Sequence, residues 1–369
     1  MIAHRPPFRA DHVGSLLRPA ALKEARRRRA EGRIDAGELA RVENAEIERV
    51  IRRQEAIGLA AVTDGELRRS WWHLDFLWGL EGVAKHTLAA GVAFAGAATR
   101  TEGVRIDGKL GFGDHPMLAH FEFLRAHTDR VAKLTIPSPS AIYGRPVRPP
   151  IDRGAYADID EFFVDLGRAY GAAVHAFGAA GCRYLQLDEV FLAMLCDEHY
   201  RQQMTTRGDD PDRLAALYAE LINVAVASAP ADMTVTLHLC RGNFKSTFMG
   251  TGGYATVQEV LFDKIRVHGY FLEYDDERSG GFEPLRWLPA DKAVALGIVT
   301  TKRGRLESKD ELKRRIDEAA RFTDLDRLCL APQCGFASTE EGNLLTEDQQ
   351  WAKLEQIVAV AEEVWGSAT

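Results

Sequence analysis

His238-Leu239-Cys240, within the run TVTLHLC, sets an imidazole and a thiol two residues apart in a β-rich segment. Residues i and i+2 of a strand face the same way, so both side chains can reach one ion. A zinc ion usually takes four ligands, so the pair needs partners. Cys334, in LCLAPQCGF, and Glu273, in YFLEYD, are the candidates, and each ends a predicted strand of its own. Taken alone, an HxC pair is more often strand packing than a metal site; the shared position of all four at strand ends argues for an ion. The set needs a finished fold to assemble, unlike the short CxxC loops of structural zinc sites. A free thiol titrates near about 8.5, whereas zinc deprotonates a bound thiol outright. Two cysteinates and one carboxylate around a dication leave one excess negative charge, which makes a bound sulfur a strong nucleophile. Water-activating zinc normally has a less negative set of three His, or two His and a Glu. The predicted chemistry is alkyl transfer to a thiol.

The elements that must position these residues alternate along the whole chain. Strands are predicted over 8–16, 60–66, 131–138, 184–190, 233–240, 267–274, 293–300 and 327–334. Many are near-continuous apolar runs, as strands covered on both faces are. Helix starts fall between them at Asp35-Ala-Gly-Glu38, Ser308-Lys-Asp-Glu311 and Thr346-Glu-Asp-Gln349, each a capping-box pattern. Eight strands alternating with helices predict an α/β fold of the (β/α)8 TIM-barrel type, whose active site lies at the C-terminal ends of the strands. No GxGxxG follows the first strand, so a dinucleotide fold has no support. The stretch from 84 to about 130 is too long for one helix; Asp107-Gly108 there predicts an inserted hairpin between strands 2 and 3, near the barrel mouth. No linker or repeat interrupts the chain, so 1–369 is expected to be a single domain.

Composition sets the class. The chain has 369 residues, 46% hydrophobic and 27% charged, with a net charge of -7. Nothing in that balance favours nucleic acid or an anionic membrane as partner, and the basic run from Arg26 to Arg29 is expected to be a solvated helix face. No apolar stretch reaches the roughly 20 residues that span a bilayer. Five cysteines suggest no disulfide framework and a reducing, cytoplasmic setting. Cys182, Cys196 and Cys329 are assigned to packing.

His238, Cys240, Glu273 and Cys334 resemble the zinc ligands of cobalamin-independent methionine synthase, a family that methylates homocysteine. The likeness covers most of the chain and corresponds to that family's C-terminal catalytic barrel. It is strongest through HVGSLLRP, TDGELRRSWWHLDF, HLCRGNF and APQCGF, which are similar to single-barrel methionine synthase II-like members. Val13-Gly14-Ser15 is similar to the family's IGS segment, Asp64-Gly65-Glu66 to its HGE and Leu187-Asp188-Glu189 to its IDE. The resemblance implies that Ser15 helps bind the carboxylate of homocysteine and that Glu66 and Asp188 hold its ammonium. Read without it, either carboxylate is as readily the partner of Arg18, Arg68, Arg69 or Arg241.

The methyl-donor half departs from the family. Pro137-Ser138-Pro139-Ser140 stands where the family has a Trp that stacks on the pterin. Thr300-Thr301-Lys302-Arg303 stands where it has a His able to protonate the folate leaving group, and Lys302 reads as a salt-bridged surface residue. Zn2+ is the expected cofactor and homocysteine the expected acceptor. The donor is expected to be methyltetrahydrofolate used weakly, or a methylated corrinoid used better. Two alternatives are a zinc thiol alkyltransferase acting on an epoxide, like epoxyalkane:coenzyme M transferase, and a non-catalytic zinc-binding barrel. Homo-oligomerisation is left open by the sequence.

Overall fold

In the computed structural model, which describes residues 5–369, seven parallel strands follow one another around the main sheet in chain order. They are β1 (Ala61–Val62), β2 (Val131–Pro137), β3 (Tyr184–Glu189), β4 (Thr234–Leu239), β5 (Gly269–Glu273), β6 (Ala293–Val299) and β7 (Leu328–Pro332). Nearly every residue in them is buried, because helices cover the outer face and side chains fill the interior. The helices begin where the sequence places caps. Asp35 accepts from the Glu38 amide ahead of Ala36–Ala56, and Ser308 accepts from Glu311 ahead of Lys309–Ala319. Thr346 and Gln349 form a complete capping box for Glu347–Trp365. No helix among the described residues is long and apolar enough to cross a membrane. The basic run is a solvated face: Arg27 pairs with Glu24 and Glu31, and Arg28 with Glu38.

The predicted first strand, 8–16, is not a regular strand. It closes the barrel as an extended segment, bridging Ala10 to Leu330 of β7 on one side and donating from Leu16 to Gly65 past β1 on the other. Two residues break its ladder. Asp11 turns its carboxylate onto the Phe8 and His12 amides. Gly14 has φ of 138°, and a Cβ there would meet the Thr135 methyl at 2.6 Å. The second predicted strand is likewise cut to Ala61–Val62, because Asp64 accepts from the Glu66 amide in a tight turn.

The insertion is antiparallel, as expected, but its turn lies elsewhere. Glu81–Thr87 pairs with Glu102–Gly111, and a second small hairpin, Ala93–Phe94 with Ala97–Ala98, caps it. Asp107-Gly108 lies inside the second long strand, where the register slips between Glu81 and Val83, so it marks a bulge and not the turn. The small hairpin folds over the barrel mouth: the Ala95 amide donates to the Phe248 carbonyl, and Phe94 stacks on Phe244 at 5.4 Å.

A buried ion pair holds the closing segment to β2. Lys133 Nζ lies 3.1 Å from Asp11 Oδ1, with both side chains fully enclosed, and it also donates to the His12 carbonyl. Tyr184 donates to the other Asp11 oxygen at 2.8 Å, and the ammonium sits 4.0 Å from the Phe271 ring centroid. Removing one partner strands a charge in the interior, which typically costs about 3–5 kcal/mol. Lys133→Met is therefore expected to lose that much in urea unfolding. A loss below about 1 kcal/mol would show that the pair does not secure this segment.

Candidate metal centre

Four predicted ligands converge. One donor atom from each of His238, Cys240, Glu273 and Cys334 lies within 4.8 Å of all the others, and all four residues are buried. His238 belongs to β4 and Cys240 follows it, its amide continuing the ladder to the Glu189 carbonyl. Glu273 ends β5, and Cys334 lies two residues beyond β7. The Cys240 and Cys334 sulfurs are 3.4 Å apart. The Cys240 thiol at its side, with the His238 charge nearby, holds the Cys334 thiol well below its ordinary range, and Cys334 in turn drives Cys240 well above it. Burial would lower His238, but the neighbouring Cys334, with Asp188 and Glu273, carries it upward. A dication among the four would let both sulfurs ionise. Both ring nitrogens of His238 are buried without a geometrically sound hydrogen-bond partner among the described residues, as a ligand imidazole awaiting an ion would be. The donor set fits tetrahedral zinc.

Glu273 already has second partners. One oxygen accepts from the Arg241 amide at 3.2 Å, and the other lies 3.2 Å from Arg278. The Arg241 guanidinium, wholly buried, is held by the Gly252 carbonyl and the Tyr254 hydroxyl. A carboxylate with such partners can leave an ion without being stranded.

Ser15, Glu66 and Asp188 line the same cavity as His238, Cys240 and Cys334. Ser15 lies against the loop after β7, where a Cβ on Gly335 would sit 1.9 Å from its hydroxyl; only glycine fits there. Glu66 adopts a left-handed backbone, φ 57°, strain of the kind found at functional sites. One of its oxygens accepts from Thr135 at 2.7 Å and faces Arg69 at 3.5 Å, while the other has no partner among the described residues. Burial raises its pKa despite Arg69 and Arg18. Asp188 meets no arginine; Gln186 donates to it at 2.7 Å. Burial pushes Asp188 up to about 7 against the His238 charge, with Glu66 adding to the rise. The two carboxylates form a cation-seeking pair. Neighbouring Glu189 does different work: it accepts from Ser138, Ser140 and the Leu192 amide, fixing the loops after β2 and β3.

Sequence reasoning missed several wall residues. Trp71, Trp72, His73, Phe94, Arg145 and Phe244 also line the cavity; the WWH run inside TDGELRRSWWHLDF was the available signal for three of them. Lys302 corrects its expectation. It is 9% exposed, its ammonium has no hydrogen-bond partner among the described residues, and its charge adds to the lowering of Cys334 and opposes the rise of Cys240 and Asp275. No salt bridge holds it at the surface; it offsets the excess negative charge of the cluster.

Comparisons with known proteins identify the family to which the chain belongs. A family model described as the cobalamin-independent synthase catalytic domain matches residues 8–363. The uncharacterized protein YxjH of Bacillus subtilis is 49% identical, over 98% of this chain and 96% of its own length. The methionine synthase of Pyrococcus abyssi is 26% identical, over 88% of this chain and 85% of that protein. A Listeria monocytogenes protein, solved as a candidate vitamin-B12-independent methionine synthase, is 36% identical with a TM-score of 0.79, covering 99% of this chain and 100% of that one. The chain belongs to the cobalamin-independent synthase family, as a methyltransferase built on that family's catalytic barrel.

Proposed function

We propose that this chain is a zinc-dependent homocysteine S-methyltransferase that forms methionine in the cytoplasm, working through one barrel domain over 1–369. The observation that carries the reading is the gathering of His238, Cys240, Glu273 and Cys334 beside a cavity shared with Ser15, Glu66 and Asp188. Zinc, when bound, supplies the charge that keeps the acceptor sulfur deprotonated at neutral pH. The other residues position. Glu66 and Asp188 are buried anions whose raised pKa values fall when an ammonium sits between them. Arg278 and the Arg241 amide hold the Glu273 carboxylate and would keep it paired if an acceptor sulfur took its place on the ion. An acceptor without an ammonium, as the epoxide alternative requires, would leave the second Glu66 oxygen without a partner and Asp188 without a cation.

For the donor, the expectation of a corrinoid rested on a missing stacking ring and a missing acid. The cavity supplies rings from another place, Trp71, Trp72 and Phe244, so a flat donor such as methyltetrahydrofolate has surfaces to lie on. The test begins with the acceptor. Purified protein is expected to carry one zinc per chain, and X-ray absorption is expected to show one more sulfur neighbour once homocysteine is added. An unchanged zinc environment at saturating homocysteine would refute the reading. Turnover with methyltetrahydrofolate and with a methylated corrinoid then decides the donor.

A further inference from the structure

Arg145 is a cation without an anion. It is 5% exposed and lines the cavity with His73, Trp72, Phe94 and Phe191. Its Nη1 donates to His73 Nε2 at 2.6 Å, and no carboxylate pairs with it among the described residues. Burial alone lowers its pKa, to about 10. Arg148, three residues on, shows the ordinary arrangement, since it pairs with Asp209 and donates to the Tyr143 hydroxyl. The segment bearing Arg145 is held firmly. The Gly144 amide donates to Ser140 O, the Gly144 carbonyl accepts from Tyr200, and the Pro146 carbonyl accepts from Arg207. His73 is fixed as well, its ring 4.5 Å from that of Trp72 and its Nδ1 buried. Because Nε2 accepts from the guanidinium, His73 is neutral and adds no second charge.

A buried guanidinium is costly unless something pairs with it. Here the pairing group is absent from the protein and the side chain borders a cavity, so a ligand must bring the anion. We propose that Arg145, positioned by His73, is the binding site for a carboxylate on the second substrate, the methyl donor. The donor side follows from electrostatics. In an amino acid the carboxylate and ammonium share one carbon, so homocysteine's carboxylate must lie beside whatever holds its ammonium. Glu66 is engaged by Thr135 and Arg69, Asp188 by Gln186, and neither carboxylate pairs with Arg145 among the described residues. The rings of Trp72, Phe94 and Phe191 that line the same cavity suit an aromatic body carrying the acid. The assignment of homocysteine to the other end rests on the proposed function; the existence of the subsite does not.

Benzoate and its neutral isostere benzamide are suitable probes, titrated into the zinc-loaded full chain by calorimetry. A charge-assisted pair predicts benzoate binding about tenfold to a hundredfold more tightly than benzamide. Arg145→Gln should abolish that preference while homocysteine affinity stays within about threefold, showing that the variant is folded. Arg145→Lys should keep part of it, since it retains charge without the fork. Saturating homocysteine should leave benzoate binding unchanged. Equal binding of benzoate and benzamide to the wild type, or a preference that survives Arg145→Gln, overturns the subsite. Displacement of benzoate by homocysteine overturns the donor assignment. A chain that binds benzoate through Arg145 but fails to bind homocysteine refutes the acceptor reading and leaves the subsite standing.

Discussion

Replacing Cys240 or Cys334 by serine is expected to remove the zinc and all measurable methyl transfer while leaving the barrel folded. Serine keeps the size and a hydrogen-bonding oxygen, but its hydroxyl does not ionise under conditions where a thiol on zinc does. Losing even a residue that merely orients a ligand commonly costs 10–100-fold in metal affinity or activity, and the loss of a ligating sulfur exceeds that. The fold should survive because the cluster sits at the strand ends, whereas the core is the apolar filling of the barrel and the layer beneath its helices. Metal analysis after desalting reads the stoichiometry, and circular dichroism with thermal unfolding reads the fold. Stoichiometric zinc in both variants would remove Cys240 and Cys334 from the ligand set, and a collapsed fold in both would make the cluster structural.

How much of this was legible from sequence depended on how local the determinants are. β2 to β7 fell within a residue or two of their expected bounds, because a strand buried on both faces must be apolar throughout and the run itself marks it. The barrel's first segment failed that test for a local reason: Asp11 spends its carboxylate on its own backbone and Gly14 turns into a conformation that ends pairing. Asp107-Gly108 carries a turn's residue types, yet a neighbouring strand absorbs it as a bulge.

The metal cluster was readable because zinc accepts few residue types and a barrel delivers strand ends to one mouth. The convergence of His238, Cys240, Glu273 and Cys334 follows from those two facts. The donor end was not readable in that way. Arg145 lies in an irregular segment after the helix Ser140–Tyr143, and nothing near it in sequence shows that its charge will be buried unpaired. Lys302 looked like a surface lysine among Thr and Arg neighbours; only the packed fold brings it beside two cysteines. Unpaired charge is a property of the tertiary structure, so it becomes visible only there.

Asp188→Asn should separate recognition of the amino group from chemistry at sulfur. Asp188 is fully buried, has no arginine, and shares the cavity with Glu66, whose second oxygen is unpartnered. An ammonium between them would satisfy both. Taking away one charged partner of a buried ammonium typically costs about 2–5 kcal/mol in binding. Asparagine keeps the shape and can still accept from Gln186, so the fold and the zinc should be unchanged. The KM for homocysteine is expected to rise by a factor matching that cost, with kcat little altered, because the lost interaction is the same in ground and transition states. With 4-mercaptobutyrate, which is homocysteine without its amine, wild type and variant should react equally well, and both slowly. Steady-state kinetics with the two thiols at fixed donor provide the measurement. Equal losses for both thiols would mean that Asp188 supports the site's architecture, and the acceptor would then need another partner for its ammonium.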